Sequence, residues 1–291
     1  MNRRKRSNIL QFTGFVVPAT FIWLTVVIIP FIYGVWITFT DWNGLAIEIH
    51  SVGLQNYVNV LKDPTFITAF QKTVIYAVFT VAASNLLGFV LALALTSGIK
   101  GQGLFRTGFF TPNIIGGIIL GYIWNFIFTY AFTAFGKLIN VDWMKTSWLT
   151  NPTRALIALI VVSSWQMSGY LMVIYIAGLS NISSELVEAA KVDGATSLQT
   201  VLRVKLPLIK NTIAICVFLS ITRTFMSFDM NLSLTAGGPF KSTELIAYKI
   251  YQKAFTSMDF GEGQAMAMVL FVIVATISLL QVYFTRKGAN D

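Results

Sequence analysis

Long apolar runs separated by short polar stretches dominate the chain. The first extends from about Ile9 to Phe39, and further runs occupy roughly 66–97, 107–135, 153–180, 210–234 and 262–285. Each reaches the ~20 residues that a helix needs to cross the hydrocarbon core of a bilayer. The pattern therefore predicts an all-α, polytopic membrane protein of six transmembrane helices. No linker, low-complexity tract or repeat interrupts it, so residues 1–291 read as one transmembrane domain with a short tail over 1–8. The first run follows a basic block, Arg3–Arg6, as a signal-peptide core would, but it is too long and no small-residue cleavage pattern closes it. It reads as a retained span, with Pro18 and Pro30 expected to kink or end the helix. In the third run Gly117 and Gly121, with Gly116 beside them, form a GxxxG spacing that permits close helix contact.

One segment breaks the apolar rhythm. Between the fourth and fifth runs, over 181–209, Ser183 and Ser184 supply an N-cap and Glu185 and Glu188 place negative charge at the start of a short helix, where its dipole favours an anion. Leu186, Ala189 and Ala190 share a face, which the alanines leave flat enough for a partner to approach. Gly194 then breaks the helix, Leu198, Val201 and Leu202 predict a second amphipathic turn, and Pro207 punctuates the return to the next span. The predicted shape is helix, sharp bend, helix. On these physical grounds a solvated loop helix and a docking element fit equally well.

Composition narrows the class. With 55% hydrophobic and 11% charged residues and a mean hydropathy of +0.70, a soluble domain is excluded. The formal charge of +9 would suit a nucleic-acid partner only if the basic residues shared one surface, and they do not. A single cysteine, Cys216, and a single histidine, His50, leave no disulfide, no Cys/His metal cluster and no catalytic triad. No phosphate-cradling GxxxxGK[ST] loop is present, so any nucleotide chemistry belongs to another chain. Of the 21 Lys and Arg, twelve fall on the side holding the N-terminus, eight on the other, and Arg223 lies inside a span. The excess, led by Arg3–Arg6, places the N-terminus, the C-terminus and the 181–209 segment in the cytoplasm. Trp36, Trp42, Trp143 and Trp148 gather near the opposite boundary as interfacial anchors.

Polar residues inside the spans are the candidate solute contacts. Trp165, Gln166, Ser168 and Tyr170 combine aromatic faces with amide and hydroxyl groups within two turns, as a sugar with an apolar face ringed by hydroxyls requires; helix packing around an internally satisfied glutamine is the competing reading. Arg223 lies thirteen residues beyond Lys210, about 20 Å along a helix, so its charge sits deep in the bilayer and needs a partner: the solute, or a group of a second subunit. Asp229, six residues on, is about 120° away around a continuous helix and should not pair with it. Asp229 and Asn231 near the outer end, Tyr122 and Asn125 in the third span and Asn85 in the second complete the set. The outer stretch from Gly237, with Tyr248, Ile250, Tyr251 and Phe255, reads as an interfacial helix or a docking surface.

The order of residues in the polar segment adds what physics alone does not. Glu188, Ala189 and Ala190, then Asp193, Gly194 and Ala195, then Leu206 and Pro207, resemble the EAA loop of ABC importer permeases. Further likeness extends along most of the chain: Phe39, Thr40, Asp41 and Trp42; Gly53, Leu54, Asn56 and Tyr57 ahead of Asp63 and Phe66; Arg106, Phe109, Phe110, Pro112 and Trp124; Phe228 and Asp229 followed by Leu234, Thr235, Gly237, Gly238 and Pro239. In this order they resemble carbohydrate importer permeases of the maltose and glycerol-phosphate type, and the first of two unlike permeases in particular. The resemblance implies a non-enzymatic permease of a bacterial cytoplasmic membrane. It would bind no cofactor, with ATP and Mg held by two ATP-binding subunits beneath. It would pair with a second permease, receive a sugar or oligosaccharide from an extracytoplasmic solute-binding protein, and be surrounded by lipid. Glu185, Glu188, Ala189, Ala190, Asp193, Gly194, Ala195 and Pro207 would then couple to the ATPase. An anionic solute such as glycerol phosphate or a uronate-containing sugar is the alternative, raised by Arg223. An ATP-independent channel or an assembly protein would leave the EAA segment without a purpose.

Overall fold

The computed structural model describes residues 3–290, with side chains at 12–283 and 285. The side chains of Arg3–Arg6, Arg286 and Lys287, which enter the charge count above, lie outside the described residues. In chain order the helices are α1 (Arg3–Trp23), α2 (Ile29–Ile37), α3 (Gln55–Lys62), α4 (Pro64–Leu95), α5 (Gln102–Ile114), α6 (Gly117–Phe126), α7 (Phe132–Leu138), α8 (Pro152–Ser180), α9 (Ser184–Val192), α10 (Ser197–Thr200), α11 (Leu206–Leu208), α12 (Lys210–Phe225), α13 (Asp229–Leu234), α14 (Ile246–Tyr251) and α15 (Phe260–Asn290). Five stretches are long and apolar enough to cross a membrane: Phe12–Ile37, Pro64–Leu95, Gly117–Leu138, Pro152–Ser180 and Phe260–Tyr283. A sixth is the pair Ser197–Leu208 and Lys210–Phe225, bent by 75°. The helices fall into two compact units, residues up to 63 with 250–270, and residues 64–249 with those from 271.

In the first unit a π turn, Leu24–Ile28, joins α1 to α2 without a break, with helical backbone on both sides. Of the kink or end expected at Pro30, the end does not occur. Proline lacks an N–H and its ring crowds the carbonyl four residues back, and the wider π turn just before Pro30 absorbs both defects. After α2 the chain reverses through a short antiparallel bridge between Thr40 and Ser51. Asn56 Nδ2 donates to the carbonyls of Thr38 and Thr40 at 2.9 and 2.8 Å, and the Tyr57 hydroxyl donates to Thr38 Oγ1 at 2.9 Å. Trp42 packs on Phe260 with ring centroids 5.2 Å apart. Lys253 bridges Asp259 at 3.0 Å and Glu262 at 3.1 Å. Burial opposes the Lys253 ammonium, but the two carboxylates more than offset it and hold its pKa above the ordinary lysine range.

The second unit is built on α4 and α8, which approach where Gly88 meets Leu171 and the Ser168 carbonyl, 3.0 Å from where a Cβ would stand. α8 starts cleanly: Asn151 Oδ1 accepts from the amides of Thr153 and Arg154, both at 3.1 Å, and Pro152 occupies the first turn. One buried cluster joins Tyr76, Leu120, Phe128, Leu159, Met230 and Leu234; another joins Ala92, Leu171, Met172, Tyr175 and Cys216. Trp148 stacks on Phe128 at 5.7 Å and donates its indole N–H to the Trp143 carbonyl at 3.2 Å, so half of the expected tryptophan belt is a packed aromatic group.

Two expected spans are broken. The run read as a helix over 107–135 stops at Ile114, leaves Ile115 and Gly116 extended, and restarts at Gly117. Pro112 weakens the last turn of α5 and the Gly116–Gly117 pair lets the backbone turn. The run over 210–234 stops at Phe225 and restarts at Asp229. Arg223 and Asp229 therefore do not share one continuous helix, and the 120° separation expected for them does not apply.

Candidate functional site

Broken helices free backbone carbonyls, and at membrane depth such groups persist only where protein or a cavity receives them. Both breaks open on one cavity of about 390 Å³, lined by residues that include Asn113, Gln166, Arg223, Ser227 and Asp229. Gln166, on α8, donates to the carbonyls of Pro112 and Ile115, each at 3.3 Å, bracketing the first break. Tyr76, almost fully buried, donates to Ser227 Oγ at 3.2 Å beside the second. Arg223 Nη1 donates to Asn113 Oδ1 at 2.9 Å, and the guanidinium carbon lies 4.2 Å above the centre of the Tyr170 ring. The partner that the sequence sought in a second subunit or the solute is thus supplied, in part, by this chain. Asp229 begins α13 and lies against Gly117, the first residue of α6, where an added Cβ would come within 2.8 Å of the aspartate Cβ. The partial positive charge of the α6 N-terminus favours the carboxylate there.

The remaining candidates divide. Trp165 packs edge-on against Trp124 at 5.5 Å. Ser168 is buried and donates to the Trp165 carbonyl. Asn231 is wholly buried: its Nδ2 donates to Thr243 O at 2.7 Å and Thr235 Oγ1 at 3.1 Å, and its Oδ1 accepts from the Leu245 amide at 3.1 Å. It fastens the outer loop and does not line the cavity. Asn125 donates to the Leu234 carbonyl at 2.7 Å, holding α6 to α13. Asn85 accepts from the Tyr175 hydroxyl at 2.8 Å and donates to Ser220 Oγ at 2.9 Å, which ties α4, α8 and α12 together. Tyr122 is exposed on α6, away from the cavity lining. The GxxxG glycines serve α13, for a Cβ on Gly121 would stand 2.9 Å from Ser233 Cβ and 3.1 Å from the Leu234 amide. Asn113 and Ser227 were not foreseen. A polar residue beside Pro112 was the only sign of the first.

The polar segment has the predicted shape. Ser183 Oγ accepts from the Glu185 amide at 3.2 Å and caps α9. At the other end Gly194 is left-handed at φ +80, its amide bonds the Lys191 carbonyl at 3.0 Å, and the Ala195 amide reaches back to Ala190 at 2.9 Å. This is a Schellman closure, and it gives Asp193, Gly194 and Ala195 a structural reason to stand together. Thr196 and Gln199 form a reciprocal capping box for α10. A π turn, Val201–Lys205, leads to Pro207 in α11 and the 75° bend into α12. Glu185, Glu188, Leu186 and Ala189 are exposed, while Ala190 is half-buried. Among the described residues neither glutamate has a salt-bridge partner and no cluster of His, Cys, Asp or Glu could hold a metal.

Spans broken around a polar cavity, with a capped helical elbow leading into one of them, mark a multi-span helical membrane protein. The family described as binding-protein-dependent transport system inner membrane component matches residues 84–287, and the chain belongs to it. The chain is 41% identical over 273 residues to the probable starch degradation products transport system permease protein AmyD of Thermoanaerobacterium thermosulfurigenes, covering 94% of this chain and 93% of that one. It is 33% identical to the multiple sugar-binding transport system permease protein MsmF of Streptococcus mutans, with 89% of each covered. A solved bacterial ABC transporter involved in the import of the acidic polysaccharide alginate contains a chain of the same fold, with a TM-score of 0.83 at 21% identity over 97% of this chain and 96% of that one. The resemblance to importer permeases of the carbohydrate type is borne out, and the chain is a multi-pass protein of the cytoplasmic membrane.

Proposed function

We propose that this chain works as a single permease domain and forms half of the translocation path of an ATP-driven importer for sugars or oligosaccharides. The observation that carries the reading is a polar cavity at the meeting of two broken spans, in a chain 41% identical to a relative named for starch degradation products. A second permease completes the path, two ATP-binding subunits hold ATP and Mg, and an extracytoplasmic binding protein delivers solute. The N-terminus, the C-terminus and the 181–209 elbow face the cytoplasm, consistent with the basic excess on that side.

The geometry supports a coupling route. The exposed face of α9, with Glu188 and Ala189, is the surface for an ATP-binding subunit. Glu185 starts the helix, Ala190, Asp193, Gly194 and Ala195 close it, and Pro207 lies at the bend, so a push on α9 is delivered to α12 and hence to Arg223. The Asn85 knot carries α4 and α8 with it. Gln166, Arg223 and Asp229 in the cavity lining are the solute-facing set, with Tyr170 beneath Arg223 and Trp165 beside Gln166, while Arg223 in the lining also favours a second reading, an anionic solute. Proteoliposomes holding the complete complex should take up labelled malto-oligosaccharide only with ATP and binding protein present. Uptake that needs no ATP would replace the importer reading with a channel.

A further inference from the structure

A guanidinium at the wall of a membrane cavity is an anion site unless something restrains it. Here the restraint is neutral. Arg223 is held by the Asn113 amide oxygen at 2.9 Å and by the Tyr170 ring at 4.2 Å, and neither cancels its charge. The balancing charge, Asp229, stands in the same lining yet is not bonded to Arg223 among the described residues. It rests instead at the start of α6. Cation and anion are therefore held apart, each by its own neutral or dipolar support, with a cavity of about 390 Å³ beside both.

Asn113 is fixed in this role by the break itself. It lies in the last turn of α5, and Gln166 grips the carbonyls on either side of it, at Pro112 and Ile115. We propose that Asn113 is a positioning residue that sets solute charge selectivity: by holding Arg223 away from Asp229 it gives the cavity a separated, net-neutral pair that selects an uncharged polyhydroxyl unit over an anionic one. A vicinal diol can accept from the guanidinium, which has five donors and spends one on Asn113, and donate to the carboxylate. A uronate or phosphate would satisfy Arg223 but meet Asp229 as a like charge in the same lining.

This inference rests on the sugar-importer reading and is tested apart from it. The probes are labelled maltotriose and labelled trigalacturonate, measured by equilibrium dialysis against the detergent-purified complete complex held with ATP and a hydrolysis-deficient ATP-binding subunit. Wild type should bind maltotriose at least about tenfold tighter, a difference near 1.4 kcal/mol. Asn113→Leu, which removes the acceptor and lets Arg223 close on Asp229, should weaken maltotriose binding by about tenfold relative to trigalacturonate. Asp229→Asn, which leaves the cation unbalanced, should move the ratio the same way and serves if the first variant fails to assemble. Equal loss of both probes in both variants would mean that Asn113 only packs the break, and would overturn the proposal. Tighter trigalacturonate binding by wild type would also overturn it while leaving sugar import intact. Binding of neither probe by a complex that still hydrolyses ATP in its catalytically active form would take down the sugar reading and this inference with it.

Discussion

Gln166 helps to set the cavity's shape, because it bonds two carbonyls at the first helix break. Gln166→Leu should leave buried acceptors unpaired, at about 1–3 kcal/mol each, seen as a lower melting temperature of the purified complex together with reduced uptake. An undiminished melting temperature would remove the clamp. Gly121→Val tests the close approach of α6 and α13: a side chain there meets Ser233 and the Leu234 backbone, and overpacking of this kind costs about 1–3 kcal/mol, readable in the same melt. Much of this site was legible in the sequence, since polar side chains within apolar runs are expensive and seldom idle. Gln166, Arg223 and Asp229 were found that way. The same signal misdirected for Asn231, Asn125 and Asn85, whose amides are consumed by internal bonds that no one-dimensional pattern displays. Nor does spacing along one helix identify a partner 110 residues away, which is why Asn113 was missed.

At the scale of elements, the 181–209 elbow was read nearly whole. Its Ser183 cap, the stop at Gly194 and the turn at Pro207 are local chemistry, and local chemistry survives in sequence. The Thr196–Gln199 capping box was equally legible and went unread. The two span breaks were not accessible, since a run of apolar residues looks continuous whether or not a neighbour satisfies an interruption. Ser183→Ala should cost α9 about 1 kcal/mol of local stability, measured as faster amide exchange over 184–192 with the spans unchanged. Glu188→Lys should abolish solute-stimulated ATPase while the complex still assembles, and normal stimulation would remove the docking face. In the first unit, the Lys253 clamp has a folded pKa raised above its unfolded value. Its contribution is therefore complete through neutral pH and is lost only as pH rises through that elevated value. Lys253→Met should lower thermal stability at pH 7 and erase the part of the alkaline decline that this group causes; an unchanged melting curve across that range would contradict the clamp.

At the scale of the whole molecule, the proposed solute cavity and the proposed docking surface are linked along the chain, from the elbow into α12. Its six apolar stretches were counted from the sequence, but the polar cavity where two broken spans of the second unit meet, and the continuity of the elbow with the helix that bears Arg223, belong to the folded chain. The first span is apolar along its length with none of its most apolar window buried within the chain, a surface suited to lipid or to a partner's helices. The central claim is that occupancy by a sugar and ATP hydrolysis by partner subunits are linked through this chain. The most direct measurement is the ATPase rate of the reconstituted complex across a panel of binding proteins loaded with neutral oligosaccharides, acidic sugars or glycerol phosphate. Stimulation by a neutral oligosaccharide, and its loss in Glu188→Lys, is the predicted result. A rate indifferent to every loaded binding protein, or one raised only by an anionic solute, would contradict the account.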